Sequence, residues 1–212
     1  MMRRTSVLVI FAAVTAATAA CTGSPSPSPG GDSSSNTTPM QSSATTLPYA
    51  GAPKVITPLP ASVLSGDPCK DALTSEQITQ AVGPDPELRP GTTPTVGPKC
   101  SWSNTQTNGQ VFVGFGTLLH TGLSGIYQNT QPKSGVWKEL PDIQGFPAVA
   151  YAGSKGTTPK DYCVVTVGVA DDLTVDIGVT LGRTKVGAAD PCEVAPGIAD
   201  QVVTTLRAKA GA

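Results

Sequence analysis

The stretch CVVTVGVADDLTVDIGVTL, residues 163–181, decides the fold of this chain. Its two halves, residues 163–170 and 173–181, are rich in valine and other β-branched residues, which favour strands. The dipeptide Asp171-Asp172 separates the halves, and aspartate is common in tight turns. We therefore predict two neighbouring antiparallel strands.

More strands are predicted upstream of this hairpin. The dipeptide Asn108-Gly109 readily adopts the positive φ angles of a tight hairpin turn, and strand-like residues flank it. A turn around Gly145 separates a second pair of apolar runs. Pro- and Gly-rich residues 84–98 are expected to form an irregular connection. The additional predicted strands are residues 101–106, 110–119, 136–140 and 146–152.

Helices are predicted at both ends of this β-rich region. The stretch Thr74–Gln77 fits a capping box, and Gly83 and Pro84 end the helix that it begins. A short helix is also predicted within residues 122–131. Residues 191–209 place four apolar side chains on one helical face. The expected fold class is α+β, an antiparallel sheet covered on one face by helices. The four apolar positions are Val194, Ile198, Val202 and Leu206.

The first 20 residues have the form of a secretory signal peptide. Arg3 and Arg4 give a positive start, and the uncharged run of residues 7–14 is too short for a transmembrane helix. Small residues then precede Cys21. This order resembles a bacterial lipobox, in which the cysteine receives a diacylglycerol thioether and becomes the mature N-terminus. Thr18 stands where leucine is usual, so a secreted chain without lipid is the alternative.

Three regions follow from the composition. After the signal peptide, residues 21–62 are expected to be the lipidated cysteine and a disordered tether, because residues 24–39 are almost wholly Ser, Pro, Gly and Thr. Residues 63–212 have the usual size of one domain. We expect a single extracytoplasmic α+β domain that the lipid holds at the cell membrane.

The charge of the chain argues against nucleic acid as a partner. The chain has 14 basic and 15 acidic residues, and removal of Arg3 and Arg4 with the signal peptide leaves 12 against 15. A nucleic-acid-binding domain ordinarily has a basic face. The partner that the sequence does predict is the membrane, which the chain contacts through the lipid anchor.

A search for reactive residues finds no catalytic, metal-binding or cofactor-binding group to assign. His120 is the sole histidine and has no carboxylate neighbour in the sequence, so we expect it to have no role. Ser124, in Gly-Leu-Ser-Gly, lacks the residue that a G-x-S-x-G nucleophile elbow requires. Asp171, Asp172 and Asp176 are conceivable metal ligands, but two of them lie at the hairpin turn, where aspartate is favoured for backbone reasons. Four aromatic residues are predicted to be core, with an aromatic-lined cleft as the alternative: Trp102, Phe112, Trp137 and Phe146.

The cysteines carry more information. With Cys21 assigned to lipid, an even number remains, which in an exported domain predicts disulfides. Cys69 and Cys192 each follow Asp-Pro, where Asp can cap a helix and Pro suits its first position. Cys100 and Cys163 begin predicted strands. We predict the pairs Cys69–Cys100 and Cys163–Cys192, which pin each helix to the sheet; the pairs Cys69–Cys192 and Cys100–Cys163 stay open.

Several short motifs follow the lipobox and tether in a fixed order. Together they resemble the actinobacterial lipoprotein family called domain of unknown function thirty-five fifty-eight, over essentially all of residues 63–212. The resemblance implies an envelope lipoprotein with a compact α+β domain, and it brings no reaction, cofactor or catalytic residue. The motifs are DPCKDALTSEQITQAVG, CSW, GFPAVAYA, YCVVTVGV and ADPCEVA.

Two functions are compatible with these observations. The first is a lipid-anchored, non-enzymatic envelope protein that binds another envelope protein or a small apolar ligand. The second is a hydrolase of envelope polymers that uses carboxylates such as Glu139, Asp142 or Asp161. Glycoside hydrolysis would require two carboxyl groups about 5 to 10 Å apart. The spacing of these residues in the sequence demonstrates no such pair.

Overall fold

The computed structural model describes residues 46–211 and contains, in that range, seven strands, four α-helices and two short 3₁₀ helices, Ala61–Leu64 and Gln131–Lys133. The predicted signal peptide, Cys21 and the greater part of the predicted tether lie outside the described residues. The strands are β1 (Glu87–Thr93), β2 (Gly97–Ser103), β3 (Gln110–Gly116), β4 (Ser134–Ile143), β5 (Phe146–Ser154), β6 (Tyr162–Ala170) and β7 (Leu173–Thr180). The helices are α1 (Pro68–Asp71), α2 (Ser75–Val82), α3 (Gly122–Asn129) and α4 (Pro191–Ala210).

All seven strands form one antiparallel sheet in the order β1-β2-β3-β7-β6-β5-β4. The predicted hairpin of residues 163–181 is confirmed as β6 and β7, which lie near the middle of the sheet. Nearly every residue of these two strands is buried. Burial on both faces explains why their sequences are almost continuously apolar rather than alternating.

Helix α4 covers one face of the sheet and confirms the helix predicted at residues 191–209. Side chains of β6 such as Val165 and Val167 belong to the same core as Ala199, Val202 and Leu206 of the helix. This face therefore holds the main hydrophobic core. Among the described residues, no helix is both long and apolar enough to cross a bilayer.

Helix α3 lies against the opposite face, so the prediction that helices cover a single face is wrong. Leu123 and Tyr127 of α3 pack in a second cluster with Val149 of β5. The helix approaches closely because Gly168 has no side chain: a Cβ there would lie 2.9 Å from Cδ1 of Leu123. The face that carries α3 is called the α3 face below, and the other is the α4 face.

Two disulfides staple helices to the α4 face, as predicted. At both Asp-Pro-Cys sequences the aspartate caps the helix by accepting a hydrogen bond from the cysteine amide, at 2.9 Å for Asp67 and 2.8 Å for Asp190. The cysteine then lies in the first helical turn, beside a strand. The bridges are Cys69–Cys100 and Cys163–Cys192, with S–S distances of 2.05 and 2.01 Å.

The predicted end of the tether at residue 62 does not match the structure. Residues 49–62, called the strap below, lie along the domain. The amide of Leu59 donates to the carbonyl of Val169 at 2.9 Å, and the amide of Val55 donates to the Asp171 carboxylate at 2.8 Å. Both donor residues are buried. The strap runs into the 3₁₀ helix Ala61–Leu64, and its spaced apolar side chains dock on the core.

The expectation of an irregular connection at residues 84–98 is also wrong. Residues Glu87–Thr93 form β1, and β2 begins at Gly97 rather than at Ser101. Strand β1 is an edge strand that pairs only with β2, and its side chains are largely exposed. An edge strand tolerates Pro90 because one of its sides has no partner for hydrogen bonding.

Candidate functional site

A groove with two lobes lies between α3 and the α3 face of the sheet. The first lobe, of about 220 Å³, is bounded by α3, β3 and β7, and Asp176 lies in its lining. The second lobe, of about 420 Å³, is bounded by the C-terminal end of α3 with β5 and β6, and is lined by Tyr151 and Tyr162. Asn129 and Thr130 line both lobes. We call the two lobes together the α3 groove.

Glycines keep the sheet surface low where the groove runs. Gly116 lines the first lobe. Gly178 lies on β7, on the same face of the sheet, next to strand positions that line the two lobes. A Cβ on Gly178 would overlap the ring of Phe112, so that ring lies directly on the β7 backbone. The floor of the groove is sheet surface, with Gly116 in the first lobe and two tyrosines in the second.

Asp176 is the central polar group of this floor. Asp176 lies in the middle of β7 and is only 8% exposed, which is unusual for a charged residue. Thr166 lies opposite it on β6, and the Thr166 hydroxyl donates to Oδ1 of Asp176 at 2.6 Å. Burial raises the pKa of Asp176 to about 6, and the hydrogen bond from Thr166 only partly opposes this shift. The ionised carboxylate is therefore held in a place that disfavours its charge.

Two tyrosines surround this carboxyl group. The hydroxyl of Tyr151 lies 3.4 Å from Oγ1 of Thr166. Burial raises the pKa of Tyr151 and that of Tyr162, and the charge of Asp176 raises both further. The ring of Tyr151 is held in place by stacking on Trp137, with 6.3 Å between centroids. Thr166 thus bonds to the carboxyl group directly, and both tyrosines lie near enough for its charge to act on them.

No basic side chain in the described part of the chain forms an ion pair with Asp176. Lys99 lies on the same face, two strands away across Gly114, but its Nζ lies above the ring of Phe112, 6.0 Å from the centroid. Lys133 lines the second lobe. A buried acid without a positive partner is costly, so this feature sets Asp176 apart from the other carboxylates.

His120 has a carboxylate partner that its sequence neighbours do not reveal. Its Nδ1 lies 3.1 Å from Oδ2 of Asp172, which is 52 positions away, and both residues line the outer edge of the first lobe. The expectation that His120 lacks such a partner is corrected. Ser124 is 1% exposed and accepts a hydrogen bond from the amide of Tyr49 in the strap, a structural contact.

The three carboxylates named for a hydrolase do not meet in the groove. Glu139 on β4 lies level with Thr166 on β6, with β5 between them. Asp161 precedes Thr166 by five residues, so Glu139 and Asp161 are separated by on the order of 16 Å along the strand direction. Asp142 lies three residues beyond Glu139 on β4, at the irregular end of its pairing with β5. Burial raises the pKa of Tyr127 to about 12, and the charge of neighbouring Glu139 adds to the shift. None of the three acids lines the α3 groove.

The four aromatic residues divide between the two faces. Trp102 and Phe146 are buried in the core on the α4 face, as predicted. Phe112 and Trp137 are partly exposed on the α3 face. Trp137 also meets Tyr127 edge to face, with 5.1 Å between centroids. None of the four lines either lobe of the groove, so the alternative of a cleft lined by these residues is not what the structure shows.

The described residues hold no cluster of three or more His, Cys, Asp or Glu side chains that could bind a metal ion.

The sequence model of a family described as "Protein of unknown function (DUF3558)" matches residues 16–205. No curated protein and no solved structure matches the chain.

Proposed function

Because this chain belongs to the DUF3558 family of proteins of unknown function, which assigns it no activity, we propose its role from the chain itself. It is a lipid-anchored lipoprotein of the actinobacterial cell envelope that binds a small, partly apolar ligand in the α3 groove. The observation that carries the binding role is the buried carboxyl group of Asp176, which forms no ion pair with any described residue, in the lining of a groove that Tyr151 and Tyr162 also line.

Export and anchoring are supported by two independent features. The N-terminal sequence has a positive start, a short apolar run and small residues before Cys21. The domain contains two disulfides, and such bonds persist mainly in oxidising compartments outside the cytoplasm. Together they favour an extracytoplasmic domain attached by Cys21.

Ligand binding is supported by the size and the chemistry of the groove. Small-molecule sites are commonly about 300 to 1,000 Å³, mostly apolar, with a few polar groups that orient the ligand. The larger lobe, of about 420 Å³, lies within this range. A non-enzymatic role is supported by the separation of Asp161 from Glu139 and by the absence of all three candidate acids from the groove lining.

The anchoring is tested by the variant Cys21→Ser. We expect it to leave the membrane fraction and to lose incorporation of labelled palmitate. The matched control is Thr18→Leu, which brings the lipobox closer to its usual form and should stay in the membrane fraction. A Cys21→Ser protein that remains fully membrane-bound would show that Cys21 is not the anchor.

The binding role is tested by native mass spectrometry of the purified protein. We expect a co-purifying small molecule, and we expect Tyr162→Ala to reduce its occupancy because Tyr162 lines the second lobe. The control is Leu88→Ala, a change of an exposed side chain on the edge strand β1. A ligand retained equally by both variants would lie outside the groove, and a wild-type protein that binds nothing from an envelope extract would contradict the proposal.

A further inference from the structure

The Asp176 carboxylate has an oxygen left over for a ligand. Oδ1 accepts from Thr166, whereas Oδ2 accepts no hydrogen bond from any described residue. The residue is 8% exposed and lies in the lining of the first lobe. A carboxylate that has lost most of its water needs a strong donor to replace it. The groove is the space from which such a donor can come.

No basic side chain among the described residues forms an ion pair with Asp176, and Lys133, which lines the second lobe, does not reach it. Helix α3, which forms the opposite wall, contains no charged residue from Gly122 to Asn129. At the outer edge, His120 pairs with Asp172 rather than with Asp176. The ammonium group of Lys99 lies over the Phe112 ring. A ligand in the groove can therefore supply the charge that complements Asp176.

We infer that the ligand of the α3 groove carries a protonated amine, which binds the Asp176 carboxylate while its apolar body lies along Tyr151 and Tyr162. This inference rests on the proposed binding function. An ammonium group donates charge-assisted hydrogen bonds, which are roughly twice as strong as neutral ones. Aromatic rings add a favourable contact with a cation. A neutral alcohol would offer a donor without the charge, and a carboxylate ligand would be repelled.

The test uses three probes with the same apolar body: hexylammonium, 1-hexanol and hexanoate. Each is titrated into the full chain carrying Cys21→Ser, and binding is followed by NMR chemical shifts and by calorimetry. We expect hexylammonium to bind about 10-fold or more tightly than hexanol, and hexanoate to bind least.

Substitution of Asp176 tests whether the preference for hexylammonium arises from its carboxylate. Asp176→Asn should weaken hexylammonium binding about 10- to 100-fold and leave hexanol binding unchanged. The amide keeps an acceptor for Thr166, so the variant is expected to fold. The control Asp142→Asn removes an exposed carboxylate on β4 and should change neither probe. The comparison of the three probes uses the protein that keeps Asp176, so it tests the inference even if a variant fails to fold.

Acidification should act through the same group. Hexylammonium binding should fall as the pH is lowered through about 6, because protonation removes the Asp176 charge. The tyrosines on β5 and β6 stay protonated in this range, since their pKa values are raised. His120 and Asp172 also face the first lobe, so the profile is repeated with His120→Gln, which should leave the midpoint in place.

The outcomes separate the inference from the proposed function. Equal binding of hexanol and hexylammonium, or hexylammonium binding that Asp176→Asn does not weaken, overturns the amine inference and leaves a binding groove. Absence of binding by all three probes, together with no co-purifying ligand, overturns both.

Discussion

Replacement of Asp176 by asparagine should stabilise the protein at neutral pH, contrary to the usual effect of changing a buried polar residue. Asparagine has the same shape and keeps an oxygen that can accept from the Thr166 hydroxyl. What disappears is the negative charge, which burial disfavours. The substitution therefore isolates the cost of that charge from the packing and the hydrogen bond.

The magnitude follows from the shift of the pKa from 3.8 to about 6. A difference of about 2 units at about 1.4 kcal/mol per unit gives an upper limit of about 3 kcal/mol. Since the folded-state pKa is the higher one, the folded protein binds more protons than the unfolded chain between about pH 4 and pH 6. Stability from this group is thus present below pH 4 and is lost as the pH rises through about 6.

The assay is urea denaturation of both proteins between pH 4 and pH 8, with the disulfides intact and with Trp102 and Trp137 as fluorescence probes. The advantage of Asp176→Asn should be near zero at pH 4 and rise towards about 3 kcal/mol at pH 7.5. The control Asp142→Asn changes an exposed side chain and should produce no such rise. An Asp176→Asn protein that is less stable than wild type at pH 7.5 would refute the claim that the carboxylate lacks a compensating partner.

Three further changes test the fold. Removing one bridge with Cys163→Ala and Cys192→Ala should lower the free energy of unfolding by about 3.5 kcal/mol, the loop-entropy estimate for a separation of 29 residues. Urea denaturation measures this loss, and a loss below about 1 kcal/mol would contradict the estimate. Gly168→Ala should cost about 1 to 3 kcal/mol in the same assay because its Cβ meets Leu123 of α3, and unchanged stability would mean that α3 is loosely packed. Asp171→Ala removes the acceptor of a strap amide and should speed limited proteolysis within residues 49–62, whereas an unchanged cleavage rate would show that this contact does not hold the strap.

Local patterns in the sequence were sufficient for the elements that depend on local causes. The β-branched runs of residues 163–181 form a hairpin because their side chains suit a sheet that is buried on both faces. The capping box at Thr74 forms as predicted, with Gln77 returning a hydrogen bond. The two Asp-Pro-Cys sequences begin helices for the reasons of capping and proline geometry that led to the disulfide pairing.

Features that depend on distant contacts could not be predicted in this way. Strand β1 contains Pro90 and Gly91 and forms because β2 offers a free edge, which no local pattern reveals. The strap resembles a linker in composition, yet Val55 and Leu59 find buried positions on the core. The importance of Asp176 arises from α3 lying over its face of the sheet. The one local signal was a charged residue in the middle of an otherwise apolar strand.

The connectivity of the two bridges has a consequence for how the protein is made. With Cys21 set aside, each disulfide joins cysteines that are consecutive in the chain. A chain exported N-terminus first, as proposed here, delivers Cys69 and Cys100 to the oxidising side before the other pair. An oxidase that joins each arriving thiol to the one already waiting then forms both native bonds in order. Maturation of this domain should accordingly need an oxidase and no disulfide isomerase.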